Sequence, residues 1–185
     1  MKFNRGDERS GSRSSPGGDA TDWAILDLLQ ENCKQPLAAI GEKVGLSAPA
    51  VLERIHKLEE AGVICGYTAL IDARRVGMDV TAFIGLSTEQ PSTIRAVETG
   101  VNAIDEILEC HHVTGAHTLM LKVKTRNTES LEGLIDRIRS MTGVSRTETM
   151  VVLSSHTERS RIPLAGPEDP DSRPVRRNGG RSRKR

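Results

Sequence analysis

The stretch "VGLSAPAVLERIHKLEEAG", residues 44–62, indicates how the first part of the chain folds. Gly45 ends one helical pattern, and a second pattern begins at Ser47, whose side chain favours the N-cap of a helix. Pro49 suits the first turn, where a missing backbone N–H costs nothing, and Gly62 suits the position just past a helix end. The stretch therefore predicts a tight turn between two helices.

The apolar pattern of the second of these helices predicts which side faces the core. Its apolar residues recur at helical spacing and form one stripe. The predicted buried stripe comprises Val51, Leu52, Ile55 and Leu58. The polar residues between them point elsewhere.

Flanking segments extend the pattern in both directions. "TDWAILDLLQEN" predicts a first helix with Thr21 as its cap, and a second helix opens at Pro36 and ends at Gly45. Gly41 inside that second helix lets a neighbouring helix come close. After Gly62, "VICGYTALID" is short and rich in β-forming residues, which predicts a wing or a connecting strand.

Two short helices joined by a glycine-containing turn are typical of a helix-turn-helix, whose second helix enters the DNA major groove. Small residues at the tip of that helix favour close approach to the groove, and basic residues further along suit phosphates or a guanine. The predicted DNA contacts are Ser47, Ala48, Pro49, Ala50, Arg54 and Lys57. A helical hairpin within a bundle is the alternative interpretation of the turn.

The second part of the chain alternates strands with helices. Apolar alternation predicts strands in "DVTAFIGLS", "AIDEILECHHV" and "VSRTETMVVL", and "GAHTLMLKVKT" predicts a turn and then a strand from Thr118. Helical periodicity predicts helices in "PSTIRAVETGV" and "TESLEGLIDRIRSM". The order β-α-β-β-α-β is that of the ferredoxin-like fold. The predicted fold class is α+β, a winged helix-turn-helix followed by a ferredoxin-like domain.

Composition and the predicted elements divide the chain into five segments. The tails are rich in Gly, Ser, Pro and charge and cannot bury enough apolar area to offset their chain entropy. The predicted segments are a disordered tail at 1–19, the DNA-binding domain at 20–69, a linker at 70–78, the effector-binding and oligomerisation domain at 79–156, and a disordered basic tail at 157–185.

Several stretches resemble the Lrp/AsnC, or feast/famine, family of transcription regulators. "DWAILDLLQEN" and "VGLSAPAVLERIHKLEEAGVICGYTALID" are similar to its DNA-binding domain, and "ECHHVTGAHTLMLKV" and "GVSRTETMVVL" are similar to its effector domain. The resemblance covers about residues 19–155. It implies DNA binding by the N-terminal domain, and dimers formed through the sheets that assemble into tetramers, octamers or larger discs.

The resemblance also implies an effector site between dimers, usually for an amino acid. The loop it implicates comprises Val113, Thr114, Gly115, Ala116, His117 and Thr118. Family members commonly carry V-T/S-G-x-x-D there, with an acidic residue that can meet an amino group. This chain has Thr118 in that position, and a hydroxyl does not neutralise an ammonium ion as a carboxylate does. The neighbouring His117 is a partial substitute.

Charge is distributed unevenly although the formal net charge is only +1. Residues 21–69 carry four basic and seven acidic residues, which disfavours DNA binding unless the basic side chains face the phosphates. After Asp171 come seven basic residues and no acidic one. Such an arm predicts stronger nonspecific DNA affinity with a steeper salt dependence, and a solubility tail is the alternative.

"CHHVTGAH" contains the metal-ligand types Cys110, His111, His112 and His117. Neighbouring strand residues point to opposite faces, so only Cys110 and His112 would share a face, and two ligands do not make a structural site. We therefore predict no metal and no cofactor. The chain contains no nucleophile elbow, P-loop or G-x-G-x-x-G motif, which predicts a protein that is not an enzyme.

Composition points to a cytoplasmic protein. The length of 185 residues suits one domain or two small ones, and an aromatic content of 2% requires a core of aliphatic side chains. Three widely spaced cysteines form no disulfide framework, which fits a reducing compartment. The N-terminus has no apolar signal region, and no segment is apolar over the length that a bilayer requires.

Together these observations predict a sequence-specific, DNA-binding transcriptional regulator. Its oligomerisation and DNA affinity would respond to a small effector, an amino acid being the favoured class. Its partners would be double-stranded DNA, the effector and further copies of the chain. The alternatives are a nucleoid-type architectural DNA-binding protein and a metabolite or metal sensor with no DNA role.

Overall fold

The computed structural model describes residues 18–164. Of the tails predicted to be disordered, 1–19 and 157–185, residues 1–17 and 165–185 lie outside the described residues, as do the seven basic residues after Asp171. The described residues divide into two compact units, one formed by residues 18–69 with 159–164 and the other by residues 70–158. Each unit has its own hydrophobic core.

The first unit is built from three helices. They are α1 (Ala20–Glu31), α2 (Leu37–Val44) and α3 (Ala48–Glu60). Their buried core comprises Ile25, Ile40, Val51 and Ile55, with Leu28, Leu29, Leu37, Val44, Leu46 and Ile64 packed around it. The turn from α2 to α3 confirms the predicted helix-turn-helix.

The first helix is capped by a different residue from the one predicted. The side chain of Asp19 accepts a hydrogen bond from the Asp22 backbone N–H at 2.9 Å, and the Asp22 side chain accepts one from the Asp19 N–H at 3.1 Å. This reciprocal pair is a capping box. The prediction of Thr21 as cap is wrong because the helix begins at Ala20, which places Thr21 inside the first turn.

Two predictions about packing in this unit are also wrong. Leu52 is 39% exposed because it lies about 100° around the helix from Val51, outside the stripe that Val51, Ile55 and Leu58 form. Gly41 accommodates the turn rather than a neighbouring helix, since a Cβ at this position would collide with the backbone carbonyl oxygen of Leu46. The Leu46 N–H donates to the Gly41 carbonyl at 2.9 Å, which closes the turn.

The helix α3 ends as predicted at Gly62, but no wing follows it. Gly62 has a left-handed backbone with φ of 69°, and the Val63 N–H donates back to the Leu58 carbonyl at 2.9 Å. Residues 63–72 contain no strand, so the predicted wing is wrong for the single chain. A strand is defined by the partner to which it is hydrogen-bonded, and this segment pairs with none of the described residues.

The second unit has the predicted ferredoxin-like order. Its elements are β1 (Val80–Thr88), α4 (Ile94–Asn102), β2 (Ile107–His112), β3 (Leu119–Thr125), α5 (Thr128–Arg139) and β4 (Val144–Val151). The four strands form an antiparallel sheet in the order β2-β3-β1-β4. The prediction of β-α-β-β-α-β is therefore confirmed.

The two faces of this sheet differ in burial. One face packs against α4 and α5 and carries the aliphatic core, including Ile84, Leu86, Leu121, Val97 and Leu134. The other face is open in the single chain. Pairing of Phe83 with Met150, and of Gly85 with Met120 and Glu148, places these side chains on the open face.

Within residues 18–164, none of the helices is long and apolar enough to span a bilayer.

Candidate DNA interface and effector loop

The tip of α3 is shaped by the turn that precedes it. Gly45 ends α2 in a left-handed conformation with φ of 72°, which a residue with a Cβ rarely adopts. Ser47 then caps α3, its hydroxyl accepting from the Ala50 N–H at 3.4 Å. Ser47 and Pro49 are exposed, and Ala48 and Ala50 are partly so. Four of the six predicted DNA contacts thus lie together at the N-terminal end of α3, where the side chains are small.

An exposed face of α3 continues from this tip. Pro49, Leu52, Glu53 and His56 are all exposed and follow one another at helical spacing. Leu52 and His56 lie on this exposed face but are not among the predicted DNA contacts. A helical projection centred on Val51, Ile55 and Leu58 places both outside that stripe, Leu52 at its flank and His56 further around the helix. An apolar Leu52 suits a thymine methyl group, and the His56 imidazole suits a base edge or a phosphate.

The other two predicted contacts are held by carboxylates. The Nη1 atom of Arg54 lies 2.9 Å from an Asp19 oxygen and 2.8 Å from an Asp22 oxygen, which ties α3 to the start of α1. The hydrogen bonds that Arg54 donates to the carboxylates of Asp22 and Asp19 raise the pKa of Arg54. Lys57 forms an exposed ion pair with Glu53 at 2.7 Å. Arg54 therefore holds two helices together, whereas Lys57 is free to exchange its partner for a phosphate at little cost.

The contact between Arg54 and Asp19 makes stability depend on pH. The Asp22 N–H, and then the Arg54 guanidinium, hold the pKa of the Asp19 carboxyl below its usual range. A depressed pKa in the folded state stabilises the fold above the ordinary carboxyl pKa of about 4, and this stabilisation is lost as the pH falls through the folded value. We expect Arg54→Met to flatten the fall in melting temperature between about pH 5 and pH 2. Lys34→Met, at an exposed lysine between α1 and α2, should leave the profile unchanged.

The predicted effector loop forms one compact connection between β2 and β3. The Val113 N–H donates to the Thr118 carbonyl at 3.1 Å, which closes the loop, and the Thr118 N–H donates to the Leu86 carbonyl at 2.7 Å, which fastens it to β1. Gly115 has φ of 120°, a conformation open to glycine but strained for other residues. The structure thus brings the six predicted residues, from Val113 to Thr118, into one loop.

Thr118 is already engaged in local hydrogen bonds. Its hydroxyl oxygen lies 3.4 Å from the Thr88 backbone nitrogen and 3.4 Å from the Thr88 hydroxyl. These long bonds leave the hydroxyl able to turn toward another partner. The side chain at this position therefore offers a neutral donor and acceptor at the end of β1.

His117 does not extend from the loop into solvent but lies on the open face of the sheet. Its side chain is 14% exposed, and its Nε2 atom lies 3.6 Å from a Glu148 oxygen. The ring covers Gly85, where a Cβ would lie 2.5 Å from the ring Cδ2 atom. The buried Nδ1 atom has no hydrogen-bond partner among the described residues. This ring nitrogen can therefore form a further hydrogen bond.

Gly85 is the residue that makes room for this ring. We expect Gly85→Ala to displace His117 and to lower the free energy of unfolding of the second unit by about 1–3 kcal/mol, as overpacking does. Urea unfolding measures the loss. Gly133→Ala is the matched control, since an added Cβ there meets nothing and an exposed helical glycine gains about 0.4–1 kcal/mol on substitution. A Gly85→Ala substitution that costs as much in a His117→Ala background as in the native chain would contradict the explanation.

The alternative of a metal site draws no geometric support from the described chain. Cys110 is partly buried against the core, whereas His111 is exposed and paired with Glu109 at 3.1 Å. His112 is exposed on the neighbouring position of β2. Across residues 18–164, no three His, Cys, Asp or Glu side chains are grouped closely enough to hold a metal ion.

Comparison with protein families assigns both units. The AsnC-type helix-turn-helix domain matches residues 19–59, and the Lrp/AsnC ligand binding domain matches residues 81–162. The two models together account for most of the described chain. The first ends within α3, and the second begins within β1.

The match to similar proteins extends over nearly the whole length of those proteins. The HTH-type transcriptional regulator FL11 of Pyrococcus horikoshii is 36% identical over 146 residues, which are 79% of this chain and 96% of that protein. Escherichia coli AsnC has a similar structure, with a TM-score of 0.74, 27% identity, and coverage of 79% of this chain and 99% of that one. The Neisseria meningitidis regulator NMB0573, solved as a complex with L-methionine, has a TM-score of 0.76, 28% identity, and coverage of 80% and 97%.

Proposed function

This chain belongs to the Lrp/AsnC family of transcriptional regulators, and from that premise we propose that it recognises specific DNA sequences and that an amino acid modulates this recognition. It is a regulator with a helix-turn-helix domain and a ligand-binding domain rather than an enzyme. The observation that carries the proposal is the exposed, small-residue tip of α3, preceded by a turn that Gly45 permits.

For DNA reading, α3 enters the major groove with its N-terminal end foremost. Ser47 and the three small residues after it, Ala48, Pro49 and Ala50, allow the backbone to reach the base edges. Lys57 contacts a phosphate after leaving Glu53. Arg54 acts mainly as a positioning residue, because its ion pairs with Asp19 and Asp22 hold α3 against the start of α1.

For effector binding, the loop from Val113 to Thr118 is the proposed site. The L-methionine complex of the Neisseria regulator supports an amino acid as the class of ligand. In this chain His117 and Thr118 replace the acidic side chain that the resemblance leads one to expect there. A neutral imidazole accepts one hydrogen bond from an ammonium group, and the threonine hydroxyl accepts another. We therefore expect weaker binding than a carboxylate would give.

The active species is proposed to be a homodimer that assembles into a tetramer, an octamer or a larger disc. The open sheet face supports this, because Phe83 is 37% and Met150 44% exposed in the single chain. An effector between dimers would change their packing and hence the spacing of the reading helices, which alters operator affinity. We place this regulator in the cytoplasm, where its DNA is.

The seven basic residues after Asp171 favour a second candidate, an architectural DNA-binding role. Neutralisation of phosphates by such an arm is independent of sequence and steeply dependent on salt. An architectural protein would bind operator and scrambled DNA almost equally. A sequence-specific regulator would not.

The experiment is a fluorescence titration of the full chain on the DNA upstream of its own gene, with each of the twenty amino acids in turn. Binding that one amino acid changes by tenfold or more supports the whole proposal. Binding that all twenty leave unchanged overturns the effector part and retains the DNA part. Failure to bind this DNA more tightly than a scrambled sequence at the same salt concentration favours the architectural role.

A further inference from the structure

After the second unit, the chain returns to the first one. Residues 159–164 belong to the same compact unit as the three helices, and they contain no helix or strand. This segment, which we call the strap, follows the last strand of the effector domain. Its contacts with the first unit are made by Arg161 and Ile162.

Arg161 is bound by carboxylates of α1. Its Nη2 atom donates to both oxygens of Asp27, at 2.7 and 2.8 Å, and its Nη1 atom lies 3.6 Å from a Glu31 oxygen. Because Asp27 and Glu31 are one helical turn apart, both face the same side of α1. The two acidic side chains therefore bind one guanidinium group between them.

The neighbouring residue is bound through its backbone. The side-chain amide of Gln30 donates to the Ile162 carbonyl at 3.1 Å and accepts from the Ile162 N–H at 2.9 Å. An amide side chain that pairs with both backbone groups of one residue recognises an extended segment, as a neighbouring strand would. This contact is chemically independent of the Arg161 ion pair, and Gln30 lies on the same side of α1 as Asp27.

Ion pairs on a surface contribute little by themselves, so the arginine contact alone would indicate no specific docking. Here one face of α1 binds two consecutive residues of the strap. Asp27 and Glu31 pair with the Arg161 guanidinium, and Gln30 pairs with the Ile162 backbone. The Asp27 side chain would otherwise leave the face negative, and Arg161 neutralises it. These contacts define what the face accepts, which is an arginine followed by a residue whose backbone N–H and carbonyl are both free to pair.

From these contacts we propose that the outer face of α1 is a docking site whose occupant is the strap of the same chain. The consequence, which rests on the proposed DNA-binding function, concerns the residues that follow. The 21 residues from 165 to 185 then start from the DNA-binding unit rather than from the effector domain. Anchoring them there raises the effective concentration of the seven basic side chains at DNA held by α3.

Docking is tested without DNA by cross-linking two introduced cysteines, one on α1 and one on the strap, with a short thiol-reactive reagent. In a background with Cys33, Cys65 and Cys110 replaced by serine, the pair Gln30→Cys with Ile162→Cys leaves the ion pair of Arg161 in place. We expect a short reagent that links two thiols to give a cross-linked monomer of altered mobility on a denaturing gel, because the length of one glutamine side chain separates the two backbones. The controls are the two single variants, Gln30→Cys and Ile162→Cys, neither of which should give the cross-linked monomer.

Any result other than a cross-linked monomer overturns the proposal. A covalent dimer would show that the strap of a second copy occupies the face. Absence of a cross-link would show that the strap does not dock. Charge reversal gives an independent check, since Asp27→Arg or Arg161→Asp should each slow cross-linking at least threefold and the double variant should restore it. Two slow single variants and an equally slow double variant would contradict the ion-pair contact.

The consequence for DNA is measured separately, so that failure there leaves the docking result intact. We expect Arg161→Gln to weaken operator binding by about three- to tenfold, through the lower effective concentration of the arm. Truncation after Leu164 should weaken it at least as much, and Arg161→Gln should then have no further effect. An undiminished effect of Arg161→Gln in the truncated chain would show that the strap does not act by anchoring the arm.

Discussion

Replacing Pro49 with glutamate is expected to lower the affinity for operator DNA at least about 100-fold while the chain remains folded. Pro49 is exposed in the first turn of α3, at the end proposed to enter the major groove. A carboxylate there would lie among phosphates and base acceptors. The same charge is favourable for the helix, since acidic residues in a first turn interact well with the helix dipole. Fluorescence anisotropy at fixed salt measures the affinity, and thermal unfolding confirms the fold.

The matched control is Thr128→Glu, which adds the same charge to the first turn of α5. Thr128 is exposed and belongs to the second unit. Its variant should bind operator DNA as the native chain does. If Pro49→Glu and Thr128→Glu lowered the affinity equally, net charge rather than the position of α3 would explain the loss. A Pro49→Glu variant with native affinity would refute the placement of α3 in the groove.

Replacing Thr118 with aspartate is expected to raise the affinity for the responsive amino acid about tenfold or more. A carboxylate here meets the ammonium group of an amino acid with a charge-assisted hydrogen bond, which is about twice as strong as a neutral one. The substitution is tolerable because the Thr88 N–H, 3.4 Å from the present hydroxyl, can donate to a carboxylate instead. Calorimetric titration with the panel of amino acids measures the gain.

Thr118→Asn separates charge from shape. Asparagine has nearly the size of aspartate but carries no charge, so it should leave the affinity within a few-fold of the native value. Equal gains for Asp and Asn would show that shape, not charge, limits binding. No gain for Thr118→Asp would place the ammonium group elsewhere, and His117 with its unpartnered Nδ1 atom would be the next residue to test.

Local signals in the sequence were sufficient for the elements of both units. The helices and strands carry clear periodicity, and the ends of α2 and α3 are marked by Gly45 and Gly62, which adopt the left-handed conformations expected of them. The helix-turn-helix and the β-α-β-β-α-β order follow from these local features. The family models confirm the same two parts.

Features that depend on contacts distant in sequence were predicted less well. Arg54 was expected to face DNA, but its carboxylate partners Asp19 and Asp22 come from another helix. The contact of His117 with Gly85 joins a loop to the middle of a strand, and no spacing rule predicts it. The predicted wing depends on a partner strand that this chain does not supply within the described residues.

Smaller errors had local causes. Thr21 was chosen as the cap although Asp19 stands before it, because the start of the apolar pattern does not fix the first helical residue to better than a turn. Leu52 was placed in the core because it is apolar, although the buried stripe of α3 is complete without it. Its exposure on the reading side of α3 adds it to the surface proposed to contact DNA.

Sequence-specific DNA recognition is tested most directly by the ratio of two dissociation constants. Both are measured for the unsubstituted chain of 185 residues at one near-physiological salt concentration. One is for its best-bound natural site and the other for a scrambled duplex of equal length and composition. For a sequence-specific regulator we predict a ratio of at least about 1,000. A ratio below about 10, with both constants falling steeply as salt is added, would contradict it. The chain would then bind DNA by charge alone.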